Sequence, residues 1–165
     1  RDSSAAGAAG PFLQHVLQRI SAHESAGDTN THLIRSLSRS MLISTDNAHA
    51  LHPNYADKME PNHRPMLNAG PVIKSNANQR YASNSETQAL FRSLCGKRQI
   101  PLQHFVMRND IACGSTIGPI TAMALGIKTL DVGVPTLAMH SIRELAGAQD
   151  PLLMCSALTA FLRRD

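Results

Sequence analysis

The residues best equipped for chemistry gather in S-T-D-N-A-H-A-L-H-P-N-Y, where Asp46, His49 and His52 stand at three-residue steps. Little apolar periodicity surrounds them, so they have no obvious core to serve. Carboxylate oxygen and imidazole nitrogen are donors that borderline metals such as zinc accept, at roughly 2.0–2.2 Å, and the segment therefore points to a hydrolytic metal site. His140 closes a second segment, D-V-G-V-P-T-L-A-M-H. Taken singly, an Asp after a strand is more often a turn or cap residue, and a lone His is more often structural. Lys74 and Tyr81 are polar tips on apolar or small-residue segments. Their bland reading is solvated surface; the sharper one is an ammonium facing an acidic ligand and a hydroxyl donating a hydrogen bond. Cys113-Gly114-Ser115-Thr116 is a small-residue turn ahead of a helix, suited to offering N–H groups to a carbonyl or carboxylate. It also offers Cys113 as a nucleophile, although no recognised local pattern ties His49 or His140 to it. The chain has no H-E-x-x-H, G-x-S-x-G or Walker loop.

Strands alternating with helices must position these residues. Residues 1–10, R-D-S-S-A-A-G-A-A-G, read as a flexible segment, and order is expected to begin near Pro11. Phe12, Leu13, Val16, Leu17 and Ile20 recur at helical spacing, and a short second helix is expected over Thr31 to Arg39. Met41-Leu42-Ile43 reads as a buried strand that ends at Ser44-Thr45-Asp46 and leads into a functional loop region reaching Pro71. Val72-Ile73-Lys74, Leu102 to Met107 and Leu130 to Val134 are further strands. Ser83-x-x-Glu86 and Ser141-x-x-Glu144 have the form of capping boxes. Pro119 and Gly126 bracket one helix, and Asp150-Pro151 starts another with Leu152, Cys155, Leu158 and Phe161 or Leu162 inward. The fold class is α/β: a layered, mostly parallel sheet flanked by helices, with functional side chains at the carboxyl ends of strands.

Composition narrows the alternatives. A chain of 165 residues, 42% apolar and 17% charged, can bury a core and is neither disordered nor collagenous. No apolar run approaches the ~20 residues of a membrane helix, so no membrane role is expected. The net charge of +4 is scattered, Trp is absent and aromatic residues are few, which argues against nucleic acid. Three cysteines without C-x-x-C spacing indicate neither a disulfide framework nor a Cys-type zinc site, and a reducing cytoplasm is the expected location. The start, Arg1-Asp2-Ser3-Ser4, reads as a cut inside a longer chain.

The ordered set S-T-D-N-A-H-A-L-H-P-N-Y, N-H-R-P, G-P-V-I-K, Q-R-Y-A-S-N, R-N-D-I-A-C-G-S-T-I-G-P and V-G-V-P-T-L-A-M-H-S-I-R-E resembles the aspartyl aminopeptidase family of di-zinc exopeptidases. The resemblance runs from about Ser44 to Phe161, and residues 1–40 fit more loosely. It implies that residues 11–165 are the C-terminal part of a zinc exopeptidase-like catalytic domain. By the same resemblance Asp46 is a zinc ligand, His140 a ligand of the second zinc, and His49, Lys74 and Tyr81 contact substrate. The implied cofactors are two zinc ions, with manganese or cobalt as substitutes, and the implied substrates are peptides with an N-terminal Asp or Glu. Two metals roughly 3.5–4 Å apart can polarise the scissile carbonyl and stabilise an oxyanion, and Lys74 then has an acidic side chain to recognise.

The family's remaining ligands, a His, a bridging Asp and a Glu, together with its general-base Glu, are expected upstream of Arg1, which falls just after an expected D-H-E-E-V-G-S segment. No catalytic base is therefore expected within this chain, which alone should be inactive and should need the N-terminal part of the enzyme as partner. The resemblance further implies a homo-oligomer, built from dimers into a dodecamer. The alternative is a non-catalytic binding or assembly module that retains the Lys74 anion pocket.

Overall fold

The computed structural model describes residues 4–163, and Ser4 to Gly10 form a succession of turns. The chain then builds α1 (Phe12–Glu24), α2 (Thr29–Ser38), β1 (Met41–His49), a 3-10 turn (Pro53–Lys58), β2 (Val72–Ser75) and α3 (Ser85–Lys97). β3 (Gln103–Val106), α4 (Ile117–Leu125), β4 (Lys128–Leu137), β5 (Leu145–Ala146) and α5 (Asp150–Arg163) follow.

The sheet has the order β1-β4-β2-β3, with β5 added to the end of β4. The nine-residue pairing of β1 with β4 is parallel, as is that of β2 with β3. β2 meets β4 antiparallel and over two pairs alone, Val72 opposite Gly133 and Ile73 opposite Val132. The α/β fold with a mostly parallel, helix-flanked sheet is thus present, with antiparallel pairings of β4 to β2 and to β5 that such short strands could not reveal.

Gly133 explains how β1 and β4 lie so close at their functional end. A Cβ there would stand 2.4 Å from the Asp46 carbonyl oxygen, on backbone that cannot swing aside. One face of the sheet buries Ile73, Leu130 and Val132 against Phe91 and Cys95 of α3 and Met154 and Ala157 of α5. The opposite face buries Ala48, Val72 and Phe105 with Met59 and Tyr81. At one edge the buried Asp150 carboxylate accepts hydrogen bonds from Asn68 N at 2.7 Å and Gly70 N at 3.0 Å, which pins the long loop to the start of α5.

Helix ends follow local chemistry. Asp28 caps α2 by accepting from the backbone N–H groups of Asn30 and Thr31. α4 carries Pro119 in its first turn and ends on Gly126 at φ +64.

Four expectations are corrected. β1 does not stop at Asp46 but continues in register with β4 to His49. The box opening α3 is Asn84 with Thr87, not Ser83 with Glu86, because the Ser83 hydroxyl is engaged with the backbone of Asp131. Ser141-x-x-Glu144 opens no helix: Ser141 Oγ accepts from Arg143 N, Glu144 accepts from His140 N, and the chain enters β5 instead. The inner face of α5 is Met154, Ala157, Ala160 and Phe161, whereas Leu152 and Leu162 are 70% and 79% exposed. A helix apolar nearly all round fits several phases, and the small Ala157 and Ala160 let its backbone approach the sheet. α1 forms where its spacing predicts, yet Phe12, Leu13, Val16 and Ile20 all face outward.

Candidate functional site

The five residues singled out from the sequence line one cleft of about 100 Å³. β1 supplies Asp46 and His49, β2 supplies Lys74, the chain after β2 supplies Tyr81, and the loop after β4 supplies His140. The cleft opens where β2 leaves β4: Lys74 follows directly on the last paired residue, Ile73. Its ammonium reaches across to the Asn47 carbonyl at 3.1 Å and lies 5.4 Å from the centroid of the Tyr81 ring. At 2% exposure this is a charge held ready with almost no water around it. Burial lowers its pKa, and the carboxylates of Asp46 and Asp131 pull it partly back up.

Tyr81 is buried, and its phenol shares a hydrogen bond with the Cys113 thiol. Burial first, then that bond and the surrounding negative charge, push its pKa up, so it stays protonated and able to donate. Arg80 Nε donates to the Cys113 carbonyl at 3.0 Å, and Ser115 Oγ donates to the Arg80 carbonyl at 3.2 Å. These bonds lace the chain around Tyr81 to the Cys113–Ser115 wall. Cys113 thus acts on Tyr81.

His49 stands at the mouth with its ring 6.1 Å from that of Phe105. Partial burial, then the charges of Lys74 and His140, hold its pKa below the ordinary histidine range and favour neutral imidazole. Asp46 Oδ1 accepts from the backbone N–H of Asn47 at 2.7 Å. His140 adopts φ +68, preceded by Ala138 at φ +54, so two left-handed residues turn the chain back toward the cleft just beyond β4. Such conformations are costly for non-glycine residues and tend to collect at functional sites.

Asp46 and His140 offer one carboxylate and one imidazole to the same space, a donor pair suited to zinc chemistry. Among the described residues no group of three or more His, Cys, Asp or Glu could enclose a metal. Two donors fit part of a tetrahedral zinc site and leave its other positions open. His52 does not join it. Its Nδ1 accepts from Asn54 N at the start of the 3-10 turn, and its ring packs on Tyr55 at 4.9 Å, beside a neighbouring cavity of about 310 Å³. Gly114 to Thr116, from the turn singled out in the sequence, also line the cleft, together with Asn47 and Met107, positions that residue type alone does not flag. Gly133 could have been noticed as the one glycine inside D-V-G-V, where a strand needs a reason for it.

Comparison with known proteins agrees on one family. Residues 2–162 match the model for the aminopeptidase I zinc metalloprotease (M18) family. The chain is 60% identical over 158 residues to a probable M18 family aminopeptidase 2 of Ectopseudomonas mendocina, covering 96% of this chain and 35% of that protein. A protein of the same description from Pseudomonas putida is 58% identical over 160 residues, covering 97% and 36%. Among solved structures, the cryo-EM structure of the Ape4 and Nbr1 complex superposes with a TM-score of 0.92 at 44% identity, covering 97% of this chain and 30% of that one. The S. cerevisiae mApe1 dodecamer gives 0.85 at 28% identity, covering 98% and 35%. With sequence and fold in agreement, the chain belongs to the M18 family of zinc metallo-aminopeptidases and spans about a third of the length of the relatives it matches.

Proposed function

We propose that this chain works as part of a di-zinc aminopeptidase that removes N-terminal Asp or Glu from peptides. One observation carries the reading: a nearly water-free ammonium, Lys74, shares a cleft with the donor pair Asp46 and His140. Asp46 is assigned to one zinc and His140 to the other, with the remaining ligands and the general-base Glu on a part of the enzyme outside this chain. When bound, the metals supply Lewis acidity and an activated water.

The chain's own residues do the rest. Lys74 pairs with the acidic side chain of the substrate, at little cost in reorganisation because its hydration is already gone. Tyr81, kept protonated by its surroundings, donates a hydrogen bond toward the carbonyl oxygen as negative charge builds on it. Neutral His49 at the mouth adds a second hydrogen-bonding group around the carbonyl. The outward apolar face of α1, Phe12, Leu13, Val16 and Ile20, is a surface that the rest of the enzyme would cover. Assembly into a homo-oligomer is part of this reading, in line with the dodecameric relative.

The test is metal analysis and hydrolysis with the whole enzyme. Asp46→Ala and His140→Ala are each expected to lower bound zinc and to reduce hydrolysis of an Asp-aminoacyl amide by about 100-fold or more. Full zinc content and full activity in Asp46→Ala would exclude the assignment. Rapid cleavage of Leu- but not Asp-substrates by the wild type would exclude the acidic preference while leaving the metal assignment in place.

A further inference from the structure

Asp131 is fully buried on β4, the strand between β1 and β2 that supply Asp46 and Lys74, and it does not line the cleft itself. Its carboxylate holds two walls at once. One oxygen accepts from the Ala82 backbone N–H at 2.6 Å, and the other accepts from the Thr116 hydroxyl at 2.7 Å. Its own backbone is stitched to the Ser83 hydroxyl, which donates to Asp131 O at 3.4 Å and accepts from Asp131 N at 3.0 Å. The segment Tyr81-Ala82-Ser83, just before α3, is thus fastened along Asp131 on one side, and the entrance to α4 on the other.

Gly118 shows how closely the second wall is drawn in. A Cβ at that position would lie 2.4 Å from both carboxylate oxygens, so the first turn of α4 rests directly on the Asp131 side chain. The carboxylate's charge also acts on the cleft: it raises the proton affinity of Lys74 and of the Tyr81 phenol. A buried carboxylate with hydrogen bonds from both walls is rigid, and truncating it would leave the Ala82 N–H without its acceptor inside the protein.

We propose that Asp131 is a positioning residue for acidic-substrate recognition: its carboxylate fixes the Tyr81-Ala82 segment beside Thr116 and supplies a buried negative charge that acts on Lys74, without touching the substrate. This rests on the reading that Lys74 receives the substrate's acidic side chain. Other groups near it do not carry such a role. His104 has a buried Nε2 without a partner, but its ring stands beside His63 and does not line the cleft.

The test compares Asp131→Asn and Asp131→Ala with wild type in the whole, metal-loaded enzyme, using matched Asp- and Leu-aminoacyl amides, with zinc content and Tm recorded alongside. Asn can keep both hydrogen bonds, because its amide oxygen accepts from Ala82 and its NH2 can donate to Thr116 Oγ1, so it removes charge alone. For Asp131→Asn the expectation is a KM for the Asp-substrate raised about tenfold, kcat within a few-fold, zinc content unchanged and the Leu-substrate nearly unaffected. Asp131→Ala is expected to lower kcat on both substrates as well, because Tyr81 loses its fixed position. Thr116→Val, which deletes one of the two bonds and keeps the side-chain shape, gives a milder loss of the same kind if Asp131→Ala fails to fold.

Two results overturn the proposal: wild-type kinetics on both substrates in Asp131→Asn, or equal losses on both that track a fallen Tm and reduced zinc. A wild type that shows no preference for the Asp-substrate overturns the underlying reading and this inference together. A wild type with that preference, whose Asp131→Asn variant keeps it, overturns the inference alone.

Discussion

Replacing Lys74 by Met separates charge from shape, because Met roughly matches the length of the buried stem and removes the ammonium. At about 4 Å and an effective dielectric near 20, a carboxylate gains roughly 4 kcal/mol from such a charge. Part of that is spent on stripping water from the substrate's carboxylate, while Lys74 at 2% exposure has already lost its own. The net effect is on the order of 2–3 kcal/mol, or roughly 30- to 150-fold in kcat/KM for an Asp-substrate. A matched Leu-substrate should change by no more than a few-fold. Stability should not suffer, since burial lowers the Lys74 pKa and thus disfavours the charged form at that position. The assay is kcat/KM on both substrates with the whole enzyme, together with Tm. Equal loss on the two substrates, with their ratio preserved, would show that Lys74 only supports the cleft and would refute the recognition argument.

Two further outcomes are expected. Gly133→Ala places a Cβ 2.4 Å from the Asp46 carbonyl oxygen and 2.8 Å from Ala48 N, so β1 and β4 must part; a loss of about 1–3 kcal/mol in stability and weaker zinc retention should appear in thermal melts and metal analysis. His104, between Arg92 and His63, has its pKa lowered from 6.5 to about 4, mainly by burial. The unfolded chain therefore binds a proton that the folded chain refuses as pH falls from 6.5 toward 4, and stability drops across that window. Discounted for the ring's partial solvent contact, the loss is on the order of 1 kcal/mol, and His104→Leu should flatten the decline in Tm between pH 7 and pH 5. An unchanged slope in that variant would assign the acid sensitivity to other groups.

The sequence by itself determined most helices and strands, because periodicity, prolines and turn residues are local; the exceptions are the run of β1 on to His49 and the Ser141 segment, which enters β5. It also carried the chemistry of Asp46, His49, Lys74, Tyr81 and His140 through the motifs that hold them. Phase and direction were decided elsewhere. The inner face of α5 depends on how closely Ala157 and Ala160 approach the sheet, and an apolar helix offers no local cue to choose it. The capping role passed from Ser83 to Asn84 because the Ser83 hydroxyl meets Asp131, a residue 48 positions away. Asp131 itself is invisible as a functional candidate in D-V-G-V, since its two side-chain partners, Ala82 and Thr116, come from other elements. The cleft exists because β2 runs antiparallel to β4 and leaves it after two pairs, which places Lys74 against Asn47 of β1. Strand direction and pairing length are properties of long-range hydrogen bonding, so only the tertiary structure could bring those five side chains to one place.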